Sequence, residues 1–361
     1  MVGLALWLVK EPEGYFVHHT ETVCLAGAPF DFGGRQVRRC TIVRISLAIL
    51  AWVLAACSSL TPRPAAQVIT STSSALFAHN VFPLALTDDL GRQVTLPSAP
   101  KRIVSLAPSN TEILFAVGAG DQVVGLTQYC NYPPEASQGR TVIGGFAANS
   151  ISVEKIMSLQ PDLVLAAGSE HKMVIEALEK SNVTVFALDA QTLDDIYGDL
   201  LAIGQMTGHA PEAQSLVGKM KLRVAAVSDK VKAIPASERV RVFYEVWDEP
   251  LTTAGPGTSV HQVIETAGGI NIFADVAREQ YPKVSAEVVI ERNPDVILGP
   301  SSHGSALIAS KIAARPGWKS VKAVEKGRIV IMDGDMISRA GPRVVDAIEA
   351  VAKNLYPDRF K

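Results

Sequence analysis

Net charge is almost absent from this chain. Its 361 residues carry 34 Lys and Arg against 36 Asp and Glu, a formal −2, with an isoelectric point near 6.4. No basic footprint exists for a phosphate backbone, so DNA and RNA are excluded as partners. Familiar catalytic signatures are missing as well: there is no nucleophile elbow, phosphate loop or HExxH pair. The glycines of "AVGAGDQVVG" are spaced unlike a dinucleotide fingerprint, and they follow a helical pattern instead of opening one. "TAGPGTS" can mimic an anion-binding turn, but it reads as a strand–turn–helix connection. These absences argue against an enzyme and give no reason to expect a cofactor. Disorder is excluded too, because 48% of the residues are hydrophobic and 19% charged. That is a globular composition, long enough for two lobes with their own cores.

Long apolar runs are also lacking. Residues 45–56 form an apolar stretch too short to span a bilayer comfortably. It follows Arg38, Arg39 and Arg44, as a signal h-region follows its positive n-region. It ends in Leu54-Ala55-Ala56-Cys57, which resembles the lipobox of bacterial lipoproteins. That resemblance implies a signal peptide over 37–56, cleavage before Cys57, and a lipid on Cys57 that anchors the chain to the cell membrane, facing the periplasm or the exterior. A buried core helix ending in an inert cysteine is the alternative, but a polar tail rich in Ser, Thr and Pro follows at once. Residues 57–85 then read as a flexible tether. Residues 1–36 show no clear period and read as a misassigned start or, failing that, an N-terminal extension. Cys24 and Cys40 lie upstream of the cut, so Cys130 is left as a lone thiol. The mature chain has neither a disulfide framework nor a Cys-rich metal site.

From Leu86 the pattern is β and α. "LTDDLGRQVTLP" reads as a small hairpin. An N-terminal lobe over 86–209 alternates strands ("RIVSLA", "QVVGLT", "DLVLAA", "TVFALDA") with helices. The helix at "SNTEILFAVGA" is expected to be capped by Ser109, with Glu112 closing a capping box. A linking helix is expected over 210–236, ending before Pro235. A C-terminal lobe over 237–361 repeats the alternation. The fold class is therefore α/β: two lobes with parallel sheets joined by one long helix, with the site in the cleft between them.

One feature is written twice. "VEKIMSLQPDLVLAAGSEH" and "AEVVIERNPDVILGPSSH" place Glu154 and Glu287, Pro161 and Pro294, and Asp162 and Asp295 each 133 positions apart. Two lobes of common plan explain the Pro helix stops and the Asp turns. A first-turn acid favours the helix dipole by only ~0.3–1 kcal/mol, which is half an explanation for the glutamates.

Several segments together resemble the vitamin B12-binding branch of the periplasmic binding proteins, whose wider group serves iron-siderophore and haem importers. They are "RIVSLAPSNTEILFAVGAGDQVVGLTQYCNYPPEA", "PDLVLAAG", "EPLTTAGPGTSVHQVIETAGGINIFAD" and "DGDMISRAGPR". The resemblance runs from about Gly91 to Phe360 and implies a class III binding-protein fold. It implies that Glu154 and Glu287 dock onto arginines of an ABC permease dimer. It implies a cobalamin or related corrinoid as ligand, a ferric siderophore or haem being the alternative, and a monomeric receptor. Its pocket loops supply Tyr129, Phe146, Trp247, Tyr281, Asp335 and Arg339 as ligand-binding residues. Tyr129, Asp335 and Arg339 match residue by residue, whereas Phe146 and Trp247 are placed by loop. Arg339 is spaced to pair Asp335. The chain departs from the pattern at Ala167-Gly168, where B12 binders can offer a tryptophan, and at Met336, which replaces an aromatic.

Other candidates are weighed on the residues alone. Tyr132 and Phe243 are read as core. No metal is expected. His171 and His303 each follow the repeated strand, either as exposed loop residues or as a pair able to ligate iron or cobalt across the cleft.

Overall fold

The structure is a computed structural model that describes residues 81–276, 279–301 and 307–361. The expected signal peptide over 37–56, Cys57 and His303 lie outside the described residues. A hairpin comes first, β1 (Leu84–Thr87) and β2 (Gln93–Leu96), antiparallel in register. Its turn is pinned by buried Asp88, which accepts from the backbone N–H of Leu90 (3.1 Å), Arg92 (2.9 Å) and Ala187 (3.1 Å).

The N-terminal lobe follows: β3 (Ile103–Ser105), α1 (Pro108–Ala116), β4 (Val123–Leu126), β5 (Thr141–Val142), α2 (Val153–Ser158), β6 (Leu163–Ala167), α3 (Lys172–Lys180), β7 (Val185–Leu188) and α4 (Leu193–Thr207). Its sheet is parallel throughout, in the order β5-β4-β3-β6-β7. Side chains alternate across it. Ile103, Leu163, Leu165, Phe186 and Leu188 pack on one face, and Val104, Val164, Ala166, Val185 and Ala187 on the other. Both sets are buried, which is why these strands read as continuous apolar runs.

Helix α4 starts with a capping box between Thr192 and Asp195 and stops at Gly208, whose φ of +89° suits glycine. The linking helix α5 (Ala210–Val231) has 22 residues, about 33 Å at 1.5 Å per residue. It ends at Val231, three residues short of Ile234, the last position before Pro235. The C-terminal lobe contains β8 (Arg241–Asp248), β9 (Leu251–Thr253), α6 (Ser259–Thr266), β10 (Ile270–Asn271), α7 (Ala286–Arg292), β11 (Val296–Pro300), α8 (Ala309–Ala314), α9 (Lys322–Glu325), β12 (Ile329–Met332), α10 (Gly334–Ser338) and α11 (Val344–Leu355). Its order is β10-β8-β11-β12, parallel, with β9 antiparallel on β8.

Val242, Tyr244, Val296 and Leu298 of this lobe join the same apolar core as Ile103 and Leu163 of the first, through Val217, Met220 and Val227 of α5. Phe243, Ile297 and Trp318 form the core on the other face. The reading of Phe243 as core therefore holds. Among the described residues, no helix is long and apolar enough to cross a membrane.

Candidate functional site

In each sheet the chain starts near the middle, winds to one edge, and then reverses. The reversal falls between β3 and β6 in one lobe and between β8 and β11 in the other. Such switch points leave a crevice beyond the strands' carboxyl ends. A cavity of about 920 Å³ lies there in the N-terminal lobe, facing the second lobe. Pro108, Ser109 and Asn110 after β3 line it, with Ala167, Ser169 and Glu170 after β6. The C-terminal lobe contributes Gln280, Tyr281, Asp335, Ser338, Arg339 and Ala340. Buried Asn110 ties the two strand ends together by donating to the Ala166 carbonyl at 3.0 Å.

Tyr129, Phe146, Tyr281, Asp335 and Arg339 all line this cavity. The three aromatics expose 37–51% of their surface, so their faces are available to a ligand. Trp247 is not among the lining residues. It sits at the exposed end of β8, where its indole N–H donates to the Glu249 carbonyl at 2.9 Å. Loop assignment alone was too coarse to place it.

The expected capping of α1 does not occur. The helix begins at Pro108 with Ala107 as N-cap and no side-chain cap. Pro108 lacks an N–H and its φ is already helical, so the terminus needs no Ser109 cap. Glu112 turns away from the backbone to the second lobe. Its Oε1 accepts from Arg339 (2.8 Å) and Arg343 (2.7 Å), and its Oε2 from Arg343 Nε (2.8 Å). Arg339 also donates to Asn131 Oδ1 at 2.8 Å and the Tyr129 carbonyl at 3.1 Å, and pairs with Asp335 at 2.9 Å. The spacing-based pair of Asp335 and Arg339 is thus present within a wider network. Tyr132 is not core: it is exposed, with the Arg343 guanidinium 4.2 Å over its ring.

His171 is neither an exposed loop residue nor a free ligand. It is fully buried. Its Nδ1 accepts from the Ala167 N–H (3.0 Å), and its Nε2 donates to the Phe146 carbonyl (2.7 Å). Both ring nitrogens are occupied, which leaves no lone pair for a metal. Burial holds its pKa below the usual histidine value. The ring supports Phe146 from beneath, with centroids 5.1 Å apart.

Carboxyl groups dominate the charged part of the lining. Among the described lining residues, Glu170, Asp189, Asp199 and Asp335 stand against the single cation Arg339. Asp199 on α4 is buried beside Asp89, Asp189 and Asp195. Burial first, then the Asp89 and Asp195 charges, push its pKa up to about 8. Asp199 escaped the sequence reading because "DIYGDLL" looks like a solvated helix face. The departure at Gly168 has a cause here. Its φ is +36°, and an added Cβ would lie 2.4 Å from Asp189 Cγ, so no side chain fits. Cys130 is a small buried residue whose thiol contacts Thr111 (3.1 Å) and Thr127 (3.2 Å).

Glu154 and Glu287 are exposed on α2 and α7. Each helix opens on a capping serine two residues earlier: Ser152 accepts from Lys155 N–H, and Ser285 from Val288 N–H. Hydrogen bonds from its own backbone and Ser285 hold the Glu287 pKa below the usual range, so it is ionised.

A family model described as periplasmic binding protein matches residues 103–336. An uncharacterized ABC transporter substrate-binding lipoprotein of Bacillus subtilis, YvrC, is 34% identical over 321 residues, 88% of this chain and 97% of the relative. A cobalamin-binding protein of Halobacterium salinarum is 34% identical over 327 residues, 88% of this chain and 85% of the relative. The apo structure of the periplasmic heme-binding protein RhuT from Roseiflexus sp. RS-1 superposes with a TM-score of 0.63 at 28% identity. That likeness covers 72% of this chain and 99% of the other. The fold is that of class III periplasmic binding proteins.

Proposed function

We propose that this chain, which belongs to the periplasmic binding protein family and is the substrate-binding protein of an ABC importer, takes a corrinoid such as cobalamin into the cleft. The observation that carries this reading is the character of the cavity. At about 920 Å³ it stands at the upper end of small-molecule sites, ~300–1,000 Å³. Three aromatic faces suit a broad flat ligand. The charge balance discriminates further. Of the four lining carboxyl groups, Asp199 holds its proton near neutral pH and Asp335 is paired with Arg339, itself held by Glu112, which leaves Glu170 and Asp189 to repel haem carboxylates or an anionic ferric siderophore. The amide arms of a corrinoid bring N–H donors, for which carboxylates are good acceptors. The cobalamin-binding relative from Halobacterium supports the same ligand.

The receptor is anchored through lipid on Cys57, in line with the lipoprotein relative, and works outside the cell membrane. Glu154 and Glu287 dock it on the permease dimer, each pairing with arginine forks. It carries out no chemistry on its ligand and acts as a monomer.

The test is a calorimetric and spectral titration of the protein with cyanocobalamin, haem and a ferric siderophore. One-to-one cobalamin binding, weakened at least tenfold by Tyr129→Ala, is the expected result. Binding of haem or the siderophore alone would replace the corrinoid with that ligand.

A further inference from the structure

The Glu112 carboxylate is nearly sealed from solvent, and the second lobe satisfies it. Its side chain is 1% exposed, and among the described residues the groups that hydrogen-bond it lie 227 and 231 positions away. Three hydrogen bonds cross from the C-terminal lobe to this one carboxylate, two of them from Arg343 through Nε and a terminal nitrogen. The same Arg339 then reaches back to the loop after β4, to Asn131 Oδ1 and the Tyr129 carbonyl. Asn131 in turn donates to Asp335 at 2.8 Å. The network thus closes a ring across the lobes beside the cavity, and one of its members, Arg339, lines the cavity wall.

We infer that Glu112 is a positioning residue: it fixes the spacing of the two lobes at the cleft and holds Arg339 in the wall before any ligand arrives. The chemistry suits this role. A guanidinium has a rigid planar fork that matches a carboxylate in two directions at once, so the pair sets an angle as well as a distance. Arg339, left without Glu112, would keep Asp335 four residues away on its own lobe and lose its charged partner across the cleft. A cleft held at its binding width spares the ligand the cost of assembling it. If loss of the network cuts the competent population to about one tenth, the apparent Kd rises about tenfold.

The test is hydrogen–deuterium exchange on the ligand-free full chain, comparing the parent with Glu112→Gln, followed by titration with cyanocobalamin. The expected result is faster exchange in the segments 128–133 and 334–340, with the strands at 103–105, 163–165, 242–244 and 296–298 unchanged. Unchanged exchange in the two cleft segments overturns the proposal. So does faster exchange in the sheets as well, since that would mark Glu112 as a general stability residue. Should Glu112→Gln fail to fold, Arg343→Gln removes the two-pronged grip and leaves the Glu112–Arg339 pair in place; the same pattern is expected and the same outcomes overturn it. The titration arm rests on the corrinoid reading, with a roughly tenfold weaker Kd expected. The exchange arm needs no ligand, so failure of that reading and failure of this one are told apart.

Discussion

Asp199 keeps its proton at a pH where an ordinary aspartate has lost it. Burial and the neighbouring Asp89 and Asp195 charges raise its pKa from 3.8 to about 8. Between those limits the folded chain holds a proton that the unfolded chain has released. Stability therefore falls as pH rises across this window; the contribution is fully present below about pH 4 and gone above about pH 8. The slope reaches at most about 1.4 kcal/mol per pH unit. An asparagine side chain cannot ionise, so Asp199→Asn should remove this slope. Urea unfolding at several pH values would then show the stability of the variant relative to the parent growing from pH 4 to pH 8. Taking the difference cancels groups such as His171, whose lowered pKa costs stability as pH falls below the unfolded value instead. A constant difference would mean that Asp199 ionises like an exposed aspartate.

At the scale of elements, the repeat is deeper than its letters. Gln160 (φ 46°) and Asn293 (φ 44°) both leave their helices in the left-handed region, one residue before the prolines. Asp162 then accepts from the backbone N–H of Lys101 (2.7 Å) and Arg102 (2.9 Å) at the start of β3. Asp295 accepts from Arg241 N–H (3.0 Å) at the start of β8. The two arginine side chains cap the preceding helices through the Leu159 and Arg292 carbonyls. Each lobe thus fastens its first strand to its second helix–strand turn with the same Asp and Arg. Asp162→Ala and Asp295→Ala should each cost about 1–2 kcal/mol. The double variant should be additive within about 0.5 kcal/mol, because the two sites share no partner. Thermal or urea midpoints measure both. Strong coupling would show that the turns communicate.

The prolines and aspartates were legible because they are local. The arginines that bind the two aspartates lie 60 and 54 residues upstream, and nothing local marks them. Glu112 shows the converse. Its capping-box spacing is a valid local signature, and a pair of arginines more than 220 residues on outweighs it. Helical and strand periods revealed the two-lobe plan, since the central strands bury both faces. The lining carboxyl of Asp199 did not show, because its burial beside Asp89 joins residues 110 positions apart.

For the whole molecule, the linking helix decides what can move. A hinge needs a few residues free to change φ and ψ. Here α5 runs unbroken between the lobes and packs one face into a core that both share. Arg223 further ties it to α11 through Asp346 and Glu349, at 2.6 Å each. Ligand addition should therefore leave the radius of gyration in solution scattering unchanged within error, and a large contraction would contradict this. Limited closure matters for delivery. Glu154 and Glu287 sit on different lobes, so in the proposed docking their separation would be the ruler that the permease reads, and a rigid link would keep that ruler constant. A first-turn glutamate on α2 or α7 contributes only ~0.3–1 kcal/mol to its helix, so replacing both should cost the fold little. Glu154→Arg with Glu287→Arg would set like charges against the permease arginines, which costs an interface several kcal/mol. Cobalamin affinity should then match the parent while uptake by cells is lost, and each single change should give an intermediate rate. Full uptake by the double variant would remove these glutamates from the docking surface.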